Sequence, residues 1–572
     1  LEPSLKLEQK KIVALTDFAK QTLQGRYTHG DERPEDIFAR VAKAYGSDSA
    51  HSKRLLSYMQ ALWLIPASPI LANGGTSRGL PISCYLNECA DSIEGIGAHI
   101  QEILYMSTRG GGVGTYFGNV RSKGEKTSRG TETTGALQFM HIIDSVRLAS
   151  NQGNARQGTI AEWISIDHPE IEEFILMRRL EGDVHRLNRN LDHGVSISDE
   201  FMRCVANDEP WQLRDPHSGK LVKTLSAPYL WELLLTTRAG VGRGEPYIHF
   251  VDQSNKHLHP DLKEQGMKIK HLNLCTEVCL PTAEDYSNIC ALSSVNVEHF
   301  DEWSKVAEFI PDCVEYLDNV VTDFIEKAPE PLWRARKAAE WERSVGLGQM
   351  GFHSYLQQHM IPFESPVAVA VNLQIAKFIH SSAMEAKRSL SEERGPAKGL
   401  KKDRMAHVIA IAPNATTSII ADTSPSIEPW DSNYYLHKTI SGAFIVKNKY
   451  LEKLLQERYA DDLENAWHSV LTHEGSVQQL DRLTDLEKAV FKTAYEINQK
   501  AVIKLAADRQ PYICQSQSVN LFFPARVDRA YVDDVHFSAW SMGLKSLYYY
   551  RTKSELNGSA ISYDTDCVAC QG

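Results

Sequence analysis

The chain has 572 residues and a mass of 64.3 kDa, with 42% hydrophobic and 24% charged residues, which is the composition of a globular protein with ample material for a core. A formal charge of -11 and a pI near 6.0 exclude the basic face of a general nucleic-acid binder, so any nucleotide would need a local site. No run of about 18 apolar residues is long enough to span a bilayer, and ten cysteines with no signal peptide at the start fit a reducing cytoplasm rather than a disulfide scaffold.

In chain order, Ile12, Leu15, Phe18 and Ala19, then Ile37, Val41 and Ala42, carry helix-like spacing and predict a helical lead-in over residues 1–65, closed by Pro66. Short apolar runs at 81–86 and 113–117 then alternate with longer amphipathic ones at 93–107 and 134–149, which predicts a parallel α/β arrangement. Between them Gly110-Gly111-Gly112 lacks a dinucleotide fingerprint and reads as a flexible turn. A second alternating series has helical patterns at 305–325, 367–391 and 486–506, with a strand over 408–411. No Gly/Ser-rich or Pro-rich linker divides the two series, so 66–550 reads as one unit. The polar stretch 553–559 predicts a mobile tail over 551–572.

Chemistry concentrates in Asn273-Leu274-Cys275-Thr276-Glu277. In an extended backbone residues two apart share a face, so an amide, an oxidisable sulfur and a carboxylate base would point together, a set suited to radical attack on a hydroxyl-bearing substrate. The alternative is a buried loop with an inert cysteine. Thr416, Thr417 and Ser418 follow Pro413 and open a helix, where they serve either as a phosphate cradle or as an ordinary N-cap. Cys567-Val568-Ala569-Cys570 has the spacing of a redox dithiol or of half a zinc site, and no second close Cys/His pair near the end completes the latter. Cys89, Cys204, Cys313 and Cys514 match no motif and read as buried packing residues, as does Cys279.

The 273–277 segment resembles the radical-cysteine finger loop of ribonucleotide reductases. The likeness extends through Pro66-Ala67-Ser68-Pro69, Ile82-Ser83-Cys84, Asn288-Ile289-Cys290-Ala291-Leu292-Ser293, Pro413-Asn414-Ala415-Thr416-Thr417-Ser418 with Ile427-Glu428-Pro429, Leu547-Tyr548-Tyr549 and the terminal dithiol. What the resemblance implies is a class I large (alpha, catalytic) subunit of a ribonucleoside-diphosphate reductase, without an N-terminal ATP-cone because the lead-in is too short for one. The implied fold is a ten-stranded α/β barrel of two five-stranded parallel halves set antiparallel, with the finger loop through its centre.

The resemblance also implies roles. Cys275 is the thiyl-radical position, Glu277 the base for the 3'-hydroxyl and Asn273 the amide for the neighbouring oxygen. Cys84 and Cys290 form the redox pair, Cys567 and Cys570 reduce it, and Tyr548 and Tyr549 relay the radical, with Tyr550 outside the pair. Substrate contacts fall on Ser68, Ser83, Asn414, Ala415, Thr416, Thr417, Ser418 and Arg156. Ala415, which stands where some relatives are acidic, leaves diphosphate or triphosphate open. Effector contacts fall on Asp91, Ser92, Ile93, Arg121, Arg129 and Gln152. No cofactor or metal is expected in this chain. The implied partners are a radical-generating beta subunit, a thioredoxin- or glutaredoxin-like reductant, nucleoside triphosphate effectors (dNTP or ATP) and a second alpha chain, with no nucleic acid or membrane. An adenosylcobalamin-dependent class II reductase is the rival reading, opposed by the tyrosine pair. A non-catalytic nucleotide-binding paralogue is opposed by the five redox cysteines and the carboxylate, and class III lacks its glycyl-radical segment here.

Overall fold

A computed structural model describes residues 13–82, 84–150, 158–179, 182–240, 244–439, 442–553 and 561–563. The lead-in forms three helices: α1 (Asp17–Arg26), α2 (Asp36–Tyr45) and α3 (Ser49–Gln60). Thr16 and Asp48 start α1 and α3 by accepting the otherwise unpaired amides of Ala19 and His51 at 3.1 and 2.7 Å. Leu23, Ile37, Val41, Leu55 and Met59 turn their apolar stripes into the main core.

The strands of the main sheet are β1 (Leu64–Pro66), β2 (Cys84–Glu88), β3 (Gly112–Tyr116), β4 (Thr159–Ser165), β5 (Asp192–Ile197), β6 (Tyr247–Phe250), β7 (Asn288–Asn296), β8 (Val345–Met350) and β9 (Ser546–Leu547). They form one mixed sheet in which β2, β3, β4, β5 and β6 run parallel. β7 pairs antiparallel with both β2 and β1, β8 lies parallel to β7, and β9 closes antiparallel on β6. Helices cover the outer face. Period-two alternation sorts the side chains: Ile160 and Ile164 of β4 enter the core under the helices, whereas Ala161 and Trp163 face inward to a second apolar cluster.

The sheet corrects the expectation of a closed ten-stranded barrel. Its eight-strand path curls through 230° and leaves a 23 Å gap, an open half-barrel. The strand expected over 408–411 is reduced to isolated parallel bridges, Leu347 to Ile409 and Ile411 to Gln517. The reason lies in where the backbone amides go. Those of Val408 and Ile409 meet the Cys514 sulfur at 3.1 and 3.2 Å, and that of Ser516 meets the Glu277 carbonyl at 2.9 Å. Amides bonded to a side chain and to the central loop are not available to continue a ladder.

The helix expected over 486–506 also divides, into Asp485–Val490 and Gln499–Arg509. Tertiary bonds break it, with the Ala494 amide on Trp430 and the Asn433 side chain on the Phe491 carbonyl, both at 2.7 Å. Among the described residues one helix, α4 (Pro366–Arg394), is long and apolar enough by composition to cross a membrane. Its Ala368, Ile375, Ile379 and Ala383 are buried, and Asn372 donates to the Leu505 carbonyl at 2.9 Å, the contacts of a core helix.

Candidate active site

The chain between β6 and β7 passes through the concave side of the sheet, and residues 272–280 form a finger there. The tip is a tight turn rather than the extended segment expected from alternation. Thr276 N–H donates to the Asn273 carbonyl at 3.3 Å, Asn273 N–H to the Val278 carbonyl at 3.2 Å, and Val278 N–H to Asn273 Oδ1 at 2.9 Å. Asn273 thus uses its side chain as a second backbone carbonyl. The turn puts Thr276 at φ 68°, where a β-branched residue is strained.

Two apolar clusters grip the finger. Leu272, Leu274, Cys275 and Cys279 pack with Tyr116, Trp163 and Tyr247, while Val278 and Leu280 pack with Cys84, Leu86, Cys290 and Leu292. The fit is close enough to require a particular glycine: a Cβ on Gly114 of β3 would lie 2.0 Å from the Leu272 carbonyl oxygen. Gly114→Ala is therefore expected to displace the finger root and lower stability by about 1–3 kcal/mol. Urea unfolding together with turnover measures both effects, and unchanged values would contradict this contact.

The turn brings Asn273 and Glu277 onto Cys84. Asn273 Nδ2 lies 3.5 Å from Cys84 Sγ, and that thiol donates to Glu277 Oε1 at 3.6 Å. Burial pushes the Glu277 carboxyl up to about 7, against the lowering effect of bonds from Asn273, Cys84 and Ser518. A carboxyl near 7 is half ionised at neutral pH, the condition for a general base.

Cys84 and Cys290 are direct cross-strand partners on β2 and β7. Opposed residues of an antiparallel pair have Cα atoms about 4.5–5.5 Å apart, inside the roughly 4.4–6.8 Å range that a disulfide spans. Gln515 Nε2 sits 3.5 Å from Cys290 Sγ, and burial holds the Cys290 thiol well above its usual range.

Tyr548 and Tyr549 follow β9 in the same apolar cluster as Cys275. Their ring centroids are 4.3 Å apart, and Tyr247 lies 4.8 and 5.1 Å from the two. Arg551 covers Tyr549 at 4.4 Å. Tyr550 leaves this group, pairing with Leu521 and stacking on Phe523 at 4.5 Å in the outer core.

The 414–418 turn is tied to the same sheet. Asn414 Nδ2 donates to Ser294 Oγ on β7 at 3.0 Å and to Thr417 Oγ1 at 3.2 Å, and Ser418 Oγ donates to the Ala415 carbonyl at 3.3 Å. Residues 290 and 294 share one face of β7. Arg26, which no motif pointed to, reaches Thr416 Oγ1 at 3.3 Å, and Tyr27 meets Ser68 at 2.6 Å, so the helical lead-in closes over this turn.

On the outer side, Ser92 caps the helix Ile93–Ser107. Asp91 pairs with Arg121 at 2.9 Å and His217 at 3.1 Å. Ile93 is 73% exposed, and Arg129 sits in a turn with its amide on Thr127 Oγ1 at 3.3 Å. Ser83, Gln152, Arg156, Cys567 and Cys570 lie outside the described residues.

Away from this site His51, Asp312 and Glu315 come close enough to hold a metal ion. Arg54 already binds Asp312 through two bonds of 2.7 Å, and Arg394 pairs with Glu315, so cationic side chains balance this group.

The serines around the finger were also missed: Gln515-Ser516-Gln517-Ser518 is a fully buried polar run, which in sequence alone has the look of a loop. A family model described as "Ribonucleotide reductase, barrel domain" matches residues 82–409 and 403–550, and one described as "Ribonucleotide reductase, all-alpha domain" matches 13–79. A Frog virus 3 (isolate Goorha) protein named as a ribonucleoside-diphosphate reductase large subunit is 42% identical over 549 residues, covering 94% of this chain and 95% of that one. The large subunit of Invertebrate iridescent virus 3 is 38% identical over 622 residues, covering 96% and 97%. Among solved structures, the Actinobacillus ureae class Id ribonucleotide reductase alpha subunit matches with a TM-score of 0.84 and 33% identity over 94% of this chain and 97% of that one. Finger, paired thiols and these matches converge: the chain belongs to the ribonucleotide reductase family as a class I large, catalytic subunit that converts ribonucleotides to deoxyribonucleotides.

Proposed function

We propose that Cys275 carries the thiyl radical that takes a hydrogen atom from the ribose C3', with Glu277 accepting the 3'-hydroxyl proton and Asn273 holding the neighbouring oxygen. Loss of the 2'-hydroxyl as water and its replacement by hydrogen require two electrons, and Cys84 and Cys290 supply them by closing to a disulfide. The observation that carries this reading is the single contact set in which Asn273 and Glu277 both meet Cys84, itself opposite Cys290.

Substrate phosphate is assigned to the turn of Asn414, Ala415, Thr416, Thr417 and Ser418, and Ser68 and Ser83 are assigned to the substrate as well. The names of the viral relatives favour a ribonucleoside diphosphate as substrate. Effector nucleotides, dNTP or ATP, are assigned to Asp91, Ser92, Ile93, Arg121 and Arg129, with Gln152 and Arg156 passing the choice to the substrate base. A beta subunit supplies the radical through Tyr548 and Tyr549, and a thioredoxin- or glutaredoxin-like protein regenerates Cys567 and Cys570 on a tail over 551–572, the catalytic unit being 66–550 after the 1–65 lead-in. An alpha homodimer in the cytoplasm completes the reading; the exposed Leu104, Ile142 and Leu148 on the paired helices Ile93–Ser107 and Ala136–Ser150 support that contact.

The test is a single turnover without external reductant in a Cys567→Ser/Cys570→Ser background, where the tail dithiol cannot take up the disulfide, followed by digestion and mass spectrometry. A Cys84–Cys290 crosslinked peptide is expected at one per deoxynucleotide formed. Cys290→Ser should lower product by at least about 10²-fold and give no such peptide. One equivalent of product in that background without the crosslink would overturn the pairing.

A further inference from the structure

Three buried serines hold the finger tip by its main chain. Ser518 Oγ donates to the Cys275 carbonyl, Ser546 Oγ shares its one hydrogen between the Thr276 carbonyl at 3.2 Å and the Gln517 carbonyl at 3.0 Å, and Ser516 gives its amide to the Glu277 carbonyl at 2.9 Å. The Ser516 and Ser546 hydroxyls meet at 2.8 Å. Each of the three consecutive carbonyls of residues 275–277 thus faces a serine donor around Thr276, whose strained backbone persists only where its surroundings over-determine it. Ser546 belongs to β9, two residues before Tyr548, so the strand that leads into the tyrosines also touches the finger.

Within this clamp one hydroxyl stands apart. Ser518 Oγ lies 3.4 Å from Glu277 Oε2 as well as on the Cys275 carbonyl. We propose that Ser518 is a positioning residue for the reduction, linking the protonation state of Glu277 to the backbone of Cys275. The proposal rests on the roles given above to those two residues.

The physical basis is that a hydroxyl has one hydrogen and two lone pairs. While Glu277 is ionised, its carboxylate and the Cys275 carbonyl compete for that one hydrogen. Once Glu277 takes a proton, its own O–H donates to Ser518 Oγ, and the serine hydrogen goes wholly to the carbonyl. Proton uptake at the base then tightens the hold on the residue that carries the radical. No covalent bond changes in this step. The other groups facing Glu277 are Asn273 on its own loop, Cys84 from β2 and Cys290 from β7. Burial holds the Cys290 thiol well above its usual range, so it stays neutral as Glu277 titrates.

The test uses the complete enzyme with its radical-bearing beta subunit. kcat and KM are measured against pH for wild type, Ser518→Ala, Ser518→Cys and Ser518→Thr. Ser518→Ala is expected to lower kcat about 10- to 100-fold, with KM within about threefold of wild type. Its acid limb should move to higher pH, because a donor to the carboxylate has been removed. Ser518→Thr should restore the limb and most of the rate. Ser518→Cys keeps the volume with a weaker donor and should show the same shift, which keeps the test open if the alanine variant does not fold.

An unmoved acid limb in the alanine and cysteine variants would overturn the proposal, whether kcat is normal or low, since a low rate alone would mark packing. Cys275→Ser run in parallel separates the two readings. If it is active, the assigned radical site falls. If it is inactive beside a fully active Ser518→Ala, only the role of Ser518 falls.

Discussion

Cys275→Ser is expected to lower deoxynucleotide formation by at least about 10⁴-fold, the scale of loss when an indispensable reactive side chain is removed. Serine keeps the shape of the buried side chain, but its O–H is far harder to oxidise than the S–H. The surrounding cluster of Leu272, Leu274, Tyr548 and Tyr549 is apolar and loses little volume, so the fold and effector binding should survive. Equilibrium dialysis with a nucleotide effector and a thermal melt establish that the variant is folded. Product analysis with the beta subunit then gives the decisive number, and turnover at a few per cent of wild type would reject Cys275 as the radical position.

Tyr548→Phe and Tyr549→Phe should each reduce activity to background while leaving binding of the beta subunit unchanged. The rings are 4.3 Å apart within the Cys275 cluster, with Arg551 over Tyr549, so a radical entering at Tyr549 meets contiguous aromatic contact on the way in. Phenylalanine preserves the packing and deletes only the phenol O–H, the one group that can give up a proton with an electron. Tyr550→Phe provides the contrast, because its ring lies in the outer core against Phe523 and Leu521, and near wild-type activity is expected. The chain without beta subunit should be inactive, with or without adenosylcobalamin. Full activity of the Tyr548 or Tyr549 variant would remove the pair from the radical route.

The candidate residues of the site stand out in the sequence because their chemistry is local. Asn273, Cys275 and Glu277 lie within five positions, and the tyrosine pair is adjacent in the chain. The parallel α/β character was legible for the same reason, since hydrophobic period and segment length are properties of short windows. How these pieces meet was not. Asn273 and Glu277 meet Cys84 through a turn closed by Asn273 Oδ1, not by strand alternation, and only the backbone bonds of the folded chain select between the two. The partnership of Cys84 with Cys290 is a register between distant strands, which no spacing encodes. The closed barrel failed where the amides of Val408, Ile409 and Ser516 found a sulfur and the finger instead of a neighbouring strand. Arg26 on Thr416 and Ser518 between Cys275 and Glu277 join elements remote in sequence, so their significance exists only in three dimensions. Which reactive groups the protein owns is written in its chain; which of them touch follows from the fold, because burial and hydrogen bonding act through space and the chain order constrains them only locally.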